Sequence, residues 1–299
     1  MDVIVLGSAN IDRAYTVDHV VRLGETISSA GFSESCGGKG FNQALALARA
    51  GARVSFAGAI GPDGARLKET LVQEGVDVCH LMHRDCPTGH AIIQVTPQGQ
   101  NSIVIHAGAN GSIAPSDVDE ALATFSAGDM LVLQNEVSSL GHALSKAHEK
   151  GMRIVLNPSP LDDAILGLDL SCVSILLVNE VEGGALSGRD TPEAILSALH
   201  ARYPNTDIVL TLGGEGGKYL GADDTALSFE ALDVVPVDTT AAGDTFTGYL
   251  LAEIARGSGI AKALEVARVA SGISVTRRGA ACSIPNRSEV VQYMEGERR

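Results

Sequence analysis

The chain has 299 residues, 45% of them apolar and 19% charged, a balance that supports a buried core and excludes a disordered protein. Its 22 basic and 36 acidic residues leave a formal charge of −14 with no Lys/Arg stripe, which makes nucleic acid and anionic membrane poor partners. No long apolar span and no basic leader occur, and the five cysteines form no C-x-x-C pair, so the expectation is a cytoplasmic protein with reduced thiols and no membrane association.

A β-branched run at 3–6 predicts a buried strand. It leads into Gly7-Ser8-Ala9-Asn10-Ile11-Asp12, and from about 14 to 35 no helical period follows. Gly37-Gly38-Lys39-Gly40-Phe41-Asn42 then opens a helix at 42–50 that stops at Gly51. After a strand at 54–57 and a helix at 65–74, runs at 89–95 and 101–106 predict an antiparallel hairpin through Thr96-Pro97-Gln98-Gly99-Gln100. Helices at 115–125, 138–150 and 192–202 then alternate with strands at 130–134, 153–157, 175–178 and 208–212. Helices at 245–256, 260–276 and 288–294 end the chain.

Alternation of this kind predicts an α/β protein with a mainly parallel sheet covered by helices on both faces. Two stretches break the rhythm, and together they predict a small discontinuous sheet of 14–35 and 88–109. The main domain is then 1–13, 36–87 and 110–299, with the small sheet as a lid over its carboxyl edge.

Several motifs are absent. Gly213-Gly214-Glu215-Gly216-Gly217-Lys218 fails as a phosphate loop, because Leu212 stands at the first glycine of the frame and Tyr219 at the magnesium-binding hydroxyl. Dinucleotide, zincin and serine-hydrolase signatures do not occur. Asp238-Thr239-Thr240-Ala241-Ala242-Gly243-Asp244-Thr245-Phe246 remains, in which small residues enter an amphipathic helix whose free N–H groups suit a phosphate or developing anion. Taken alone, Asp244 reads as a helix-terminal acid. Asn10, Asp12, Lys39 and Asn42, however, fall at strand ends or helix starts, where open α/β sheets bind ligands, and they suit a polyhydroxylated molecule.

These motifs, with a third stretch from Thr88-Gly89 to Gly108-Ala109-Asn110, resemble the ribokinase family of carbohydrate kinases along nearly the whole chain. The resemblance implies a three-layer αβα fold with a β-sheet lid. It also implies an ATP-dependent sugar kinase acting on the 5-hydroxyl of ribose. Another pentose, a ketohexose or a nucleoside is the alternative substrate, and a catalytically silent sensor is the reading outside catalysis. It makes Asp244 the general base and the amides of Ala241, Ala242 and Gly243 the anion hole. Asn10, Asp12, Gly38, Lys39, Asn42 and Glu136 would hold the sugar, with Asn179 and Glu182 acting on phosphate and Mg2+, and Thr211, Gly213 and Gly216 bordering ATP. The Asp238 carboxylate, the carbonyls of Thr240, Ser274, Arg277 and Gly279, and the Ser283 hydroxyl would enclose K+. Dimerisation through the lid is also implied. Phe41, Arg13, Tyr15 and Arg268 depart from the family's usual residues.

Overall fold

The structure, a computed structural model, describes residues 1–297. In chain order it opens with β1 (Val3–Leu6), β2 (Asn10–Thr16), β3 (Gly31–Gly37), α1 (Lys39–Arg49), β4 (Val54–Ile60), α2 (Ala65–Gln73), β5 (Leu81–His83), β6 (Gly89–Val95) and β7 (Asn101–His106). It continues through α3 (Pro115–Leu122), β8 (Met130–Gln134), α4 (Leu140–Glu149), β9 (Arg153–Asn157), α5 (Asp163–Leu166), β10 (Ile175–Asn179), α6 (Glu180–Ser187) and α7 (Pro192–Arg202). The last part holds β11 (Asp207–Thr211), β12 (Gly217–Leu220), β13 (Ala226–Phe229), α8 (Ala242–Ala255), α9 (Ile260–Val275) and α10 (Arg287–Glu297).

The main sheet has nine strands in the order β13-β12-β11-β10-β9-β8-β1-β4-β5. All neighbours are parallel except at one edge, where β12 and β13 run antiparallel. In β1, Val3 and Val5 pack into one apolar cluster while Ile4 and Leu6 pack into the other, so the strand is buried on both faces. A strand buried in this way must be continuously apolar, and this is why the run was readable. One cluster is closed by α1, α8 and α9, the other by α3, α4 and α7.

Strand order reverses at β1, which pairs with β4 on one side and β8 on the other. The carboxyl ends of β1 and β8 therefore flank the crevice where a doubly wound sheet receives ligands. Glycine makes the approach possible: a Cβ at Gly40 would lie 2.6 Å from the Gly7 backbone, so the start of α1 can sit directly on the end of β1.

The second sheet has four strands in the order β3-β2-β6-β7. β2 and β6 pair in parallel from Asn10↔Gly89, while β2–β3 and β6–β7 are antiparallel. Its strands reach to Asn10 and Gly37, so both inner ends join the crevice beside β1 and α1. Among the described residues no helix is long and apolar enough to cross a membrane, and the five cysteines are free thiols.

Candidate active site

The turn after β1 presents Ser8, Ala9 and Asn10 to the start of α1. Asn110 fixes this turn: its Oδ1 accepts the Ala9 amide at 3.1 Å and its Nδ2 donates to Asn10 Oδ1 at 2.7 Å. Gly38 takes a positive φ of 94° and lies against the same turn, where a Cβ would sit 3.0 Å from Ser8 O and Asn10 N. Glu136, just beyond β8, accepts the Lys39 amide at 3.0 Å and the Ser8 hydroxyl in a short contact. One carboxylate thus joins the ends of β1 and β8 to the N-terminus of α1, where the helix dipole favours negative charge.

Asp12 lies on β2 with its carboxylate directly over Gly37. Burial, reinforced by the negative charges of Glu136 and Asp244, pushes its carboxyl up to about 7. That coupling places Asp12, Glu136 and Asp244 in one electrostatic cluster.

Asp244 sits in the first turn of α8 and is buried. Its Oδ2 accepts from Asn42 Nδ2 at 3.1 Å and its Oδ1 from Gln43 Nε2 at 2.9 Å, so both donors come from α1. Ala241 precedes the helix in the left-handed region at φ 60°. The resemblance implied an anion-hole role for the Ala242 amide, but this N–H donates to Thr239 O at 3.2 Å and closes the turn. Among the described residues, the amides left without a hydrogen bond there are those of Ala241, Gly243 and Asp244.

Beside this helix start lies a cleft of about 670 Å³ whose walls include Thr211, Gly213, Gly216, Ala242 and Gly243. It extends to Phe229 and Arg268 and meets a smaller cavity of about 320 Å³. Asn179 and Glu182 do not line it. Asn179 is the register partner of Thr211, and the two side chains cap α6 reciprocally, at 2.9 Å from the Glu182 amide to Asn179 Oδ1 and 3.1 Å from the Asn179 amide to Glu182 Oε2. The capping-box role therefore occupies one oxygen of each.

Asp238 gathers Thr240 and Gly279. Its Oδ1 accepts the Thr240 amide at 2.9 Å and hydroxyl at 2.6 Å, and its Oδ2 accepts the Gly279 amide at 2.8 Å. Burial opposes the charge, but these bonds outweigh it and hold the carboxyl below its ordinary range. The Ser274 carbonyl accepts the Arg277 amide at 3.0 Å, and Ser283 is buried with its hydroxyl donating to Ala280 O at 2.7 Å. Arg49, at the far end of α1, steadies the loop with bonds of 2.8 and 2.7 Å to the carbonyls of Ala281 and Ile284.

Of the departures from family pattern, Phe41 is wholly buried in the core. Arg13 pairs with Glu34 at 3.2 Å and Tyr15 packs on Phe32 at 5.1 Å, on the face of β2 opposite Asp12 by strand alternation. Sequence reading missed Gln43, Gln134 and Asn157, and named Asn110 only as the end of a motif, with no role. The available signal was polarity: Gln134 ends the apolar run Met130–Gln134, and buried uncharged polar residues need partners.

A parallel α/β sheet whose carboxyl edge combines a buried carboxylate, unused helix-start amides and polar side chains suits an anionic or polyhydroxylated ligand. The pattern of the pfkB family of carbohydrate kinases matches residues 1–287, and the chain belongs to this family of ATP-dependent sugar kinases. It is 35% identical over 305 residues to the ribokinase of Haemophilus influenzae, covering 97% of each chain. Its fold matches the ADP complex of Cryptococcus neoformans ribokinase with a TM-score of 0.86, 38% identity and coverage of 97% and 99%. Arabidopsis thaliana ribokinase complexed with ribose and ATP matches with a TM-score of 0.85, 27% identity and 98% coverage of both chains.

Proposed function

We propose that this protein transfers the γ-phosphoryl group of ATP to the 5-hydroxyl of D-ribose, with Asp244 as general base. The observation that carries the reading is the Asp244 carboxylate, fixed at 3.1 and 2.9 Å by two residues of α1 and coupled to Asp12 on the lid strand. Full-length similarity to ribokinases supports ribose as the acceptor.

Asn10, Asp12, Gly38, Lys39, Asn42 and Glu136 surround the acceptor site. Asn42 Oδ1 is buried without a protein partner, which leaves an acceptor for a sugar hydroxyl. Asp244 takes the proton as the oxygen–phosphorus bond forms and acidifies the hydroxyl. The amides of Ala241, Gly243 and Asp244 receive the charge developing on the transferred phosphoryl group, since phosphoryl transfer depends mainly on positioning and electrostatics. Thr211, Gly213 and Gly216 border the nucleotide in the adjacent cleft.

Mg2+ fits a site of few protein ligands, because it keeps several waters and arrives with phosphates. Asn179 and Glu182 would meet it through water at the start of α6 with their remaining polar atoms. The oxygen-only set of Asp238, Thr240, Ser274, Arg277, Gly279 and Ser283 fits K+, since the Ser283 hydroxyl and the Asp238 carboxylate keep unused lone pairs. A cation held there supplies positive charge beside the anion hole. The protein acts in the cytoplasm as a homodimer joined through the small sheet, which serves as a lid; exposed Phe32, Ile103, Val104 and Ile105 on that sheet support the pairing.

Purified protein should turn over D-ribose with a higher kcat/KM than deoxyribose, fructose or adenosine in coupled ADP detection. Asp244→Asn should bind ATP normally by calorimetry while kcat falls about 10²- to 10⁴-fold. Near-normal kcat in that variant refutes the assignment, and a preference for another acceptor replaces ribose.

A further inference from the structure

Gln43 follows Asn42 on α1 and has no exposed surface. Its amide makes three bonds to three separate elements. Nε2 donates to Asp244 Oδ1 on α8 at 2.9 Å and to Asn157 Oδ1 at the end of β9 at 3.3 Å. Oε1 accepts from Gln134 Nε2 at the end of β8 at 2.6 Å. Asn157 in turn donates through Nδ2 to the Leu177 carbonyl at 3.1 Å.

The network admits one orientation. If the Gln43 amide were flipped, its oxygen would face the Asp244 carboxylate and the Asn157 oxygen, leaving acceptors against acceptors. Asn157 resists the compensating flip, because its nitrogen is bound to Leu177. Gln134 Oε1, buried without a partner, occupies the space beside Gly7 that a Cβ there would need. Gln134 at the end of β8 and Gln43 on α1 therefore carry a fixed donor to the Asp244 carboxylate, although apolar residues would fill the same space without the cost of burying amides.

We propose that Gln43 is a positioning residue of phosphoryl transfer: it fixes the rotation of the Asp244 carboxylate and presents it with a donor that never competes for the alcohol proton. The proposal rests on Asp244 being the general base. Asn42 holds the other oxygen, and the charged groups clustered with Asp244 are Asp12 on β2 and Glu136 beyond β8.

The test compares wild type, Gln43→Met and Gln43→Glu with D-ribose and ATP by coupled ADP detection across pH. Wild-type turnover comes first, so failure of the kinase reading is visible before either variant is judged. Gln43→Met keeps the length and removes every bond. Its kcat should fall about 10- to 100-fold, as for small misplacements of a reacting group, while KM for ATP stays within about twofold. Gln43→Glu sets a second carboxyl against Asp244, and the pair must share a proton, so the acid limb of its pH–kcat profile should move to higher pH. A residue 43 that does not face the base of the reaction would leave that limb in place, and a space-filling role would leave kcat of Gln43→Met near wild type. The proposal is overturned if Gln43→Met retains kcat within about twofold of wild type, or if the acid limb of Gln43→Glu coincides with that of wild type. If thermal melting shows that Gln43→Met does not fold, the acid limb of Gln43→Glu decides.

Discussion

Asp12 shows how a single side chain can tie substrate affinity to pH. Burial, then Glu136 and Asp244, raise its carboxyl to about 7, so near neutrality it is partly protonated in the empty site. A folded-state value above the unfolded one makes the sign definite. The group's contribution to stability is full below the ordinary carboxylate range and is lost as pH rises toward 7. If Asp12 receives the sugar hydroxyls, as proposed, their donation to the ionised form reverses the preference and releases a proton on binding. Sugar affinity measured by calorimetry should therefore strengthen as pH rises through about 7, with a binding enthalpy that depends on the buffer's ionisation heat. Affinity that is flat with pH, or weaker on the alkaline side, would show that Asp12 is not the group receiving the hydroxyls. The position of Asp12 was readable because an acid next to a strand end marks a ligand edge. Its altered proton affinity was not, since this comes from Asp244 and Glu136, which are remote in sequence.

The element that organises the site is α1. Its first turn supplies the Lys39 amide to Glu136, its second supplies Asn42 and Gln43 to Asp244, and its end supplies Arg49 to the Ala281–Ile284 loop. For this to work α8 must lie close, and Gly248 permits it: a Cβ there would overlap Ala46 Cβ and come within 2.8 Å of the Leu47 amide. Gly248→Ala should therefore lower stability by about 1–3 kcal/mol, as overpacking does, and reduce kcat with it because α8 carries Asp244 away from Asn42 and Gln43. Denaturant unfolding and steady-state kinetics on the same preparation check both, and a stable, fully active variant would mean the helices have room to spare. Helices such as α3, α4 and α7 were legible from their period, and β1 and β8–β11 from their unbroken apolar runs. β2 and β3 were not, because Asn10–Thr16 and Gly31–Gly37 mix charged, small and aromatic residues without clean alternation. β12 and β13 were not either, because Gly217–Leu220 and Ala226–Phe229 at the antiparallel edge lack the unbroken apolar run that makes the equally short β1 readable. The starts of α1 and α8 fell earlier than periodicity suggested, since their glycine and alanine residues are placed by tertiary contacts.

At the scale of the molecule, the small sheet leaves an apolar edge uncovered in a single copy of the chain. Ile103, Val104 and Ile105 are each at least half exposed on β7, which is an edge strand, and such an apolar edge invites pairing. By register Ile105 stands beside Ala91 and Ala91 beside Asp12, so Ile103 and Ile105 continue the face that carries Asp12, while Val104 lies on the other face by strand alternation. Two copies each bearing a formal charge of −14 repel one another, so the attraction between them has to come from this apolar area. Added salt screens the repulsion and leaves the apolar contact intact. Sedimentation should accordingly find a dimer that strengthens with ionic strength, the reverse of an assembly held by ion pairs. Ile105→Asp places a charge within the proposed contact and should yield monomers with a raised KM for sugar, because that face adjoins Asp12, and an unchanged KM for ATP, whose proposed cleft lies at the start of α8. A wild-type protein that sediments as a monomer at every salt concentration would assign the exposed stripe to closure over the sugar within a single chain.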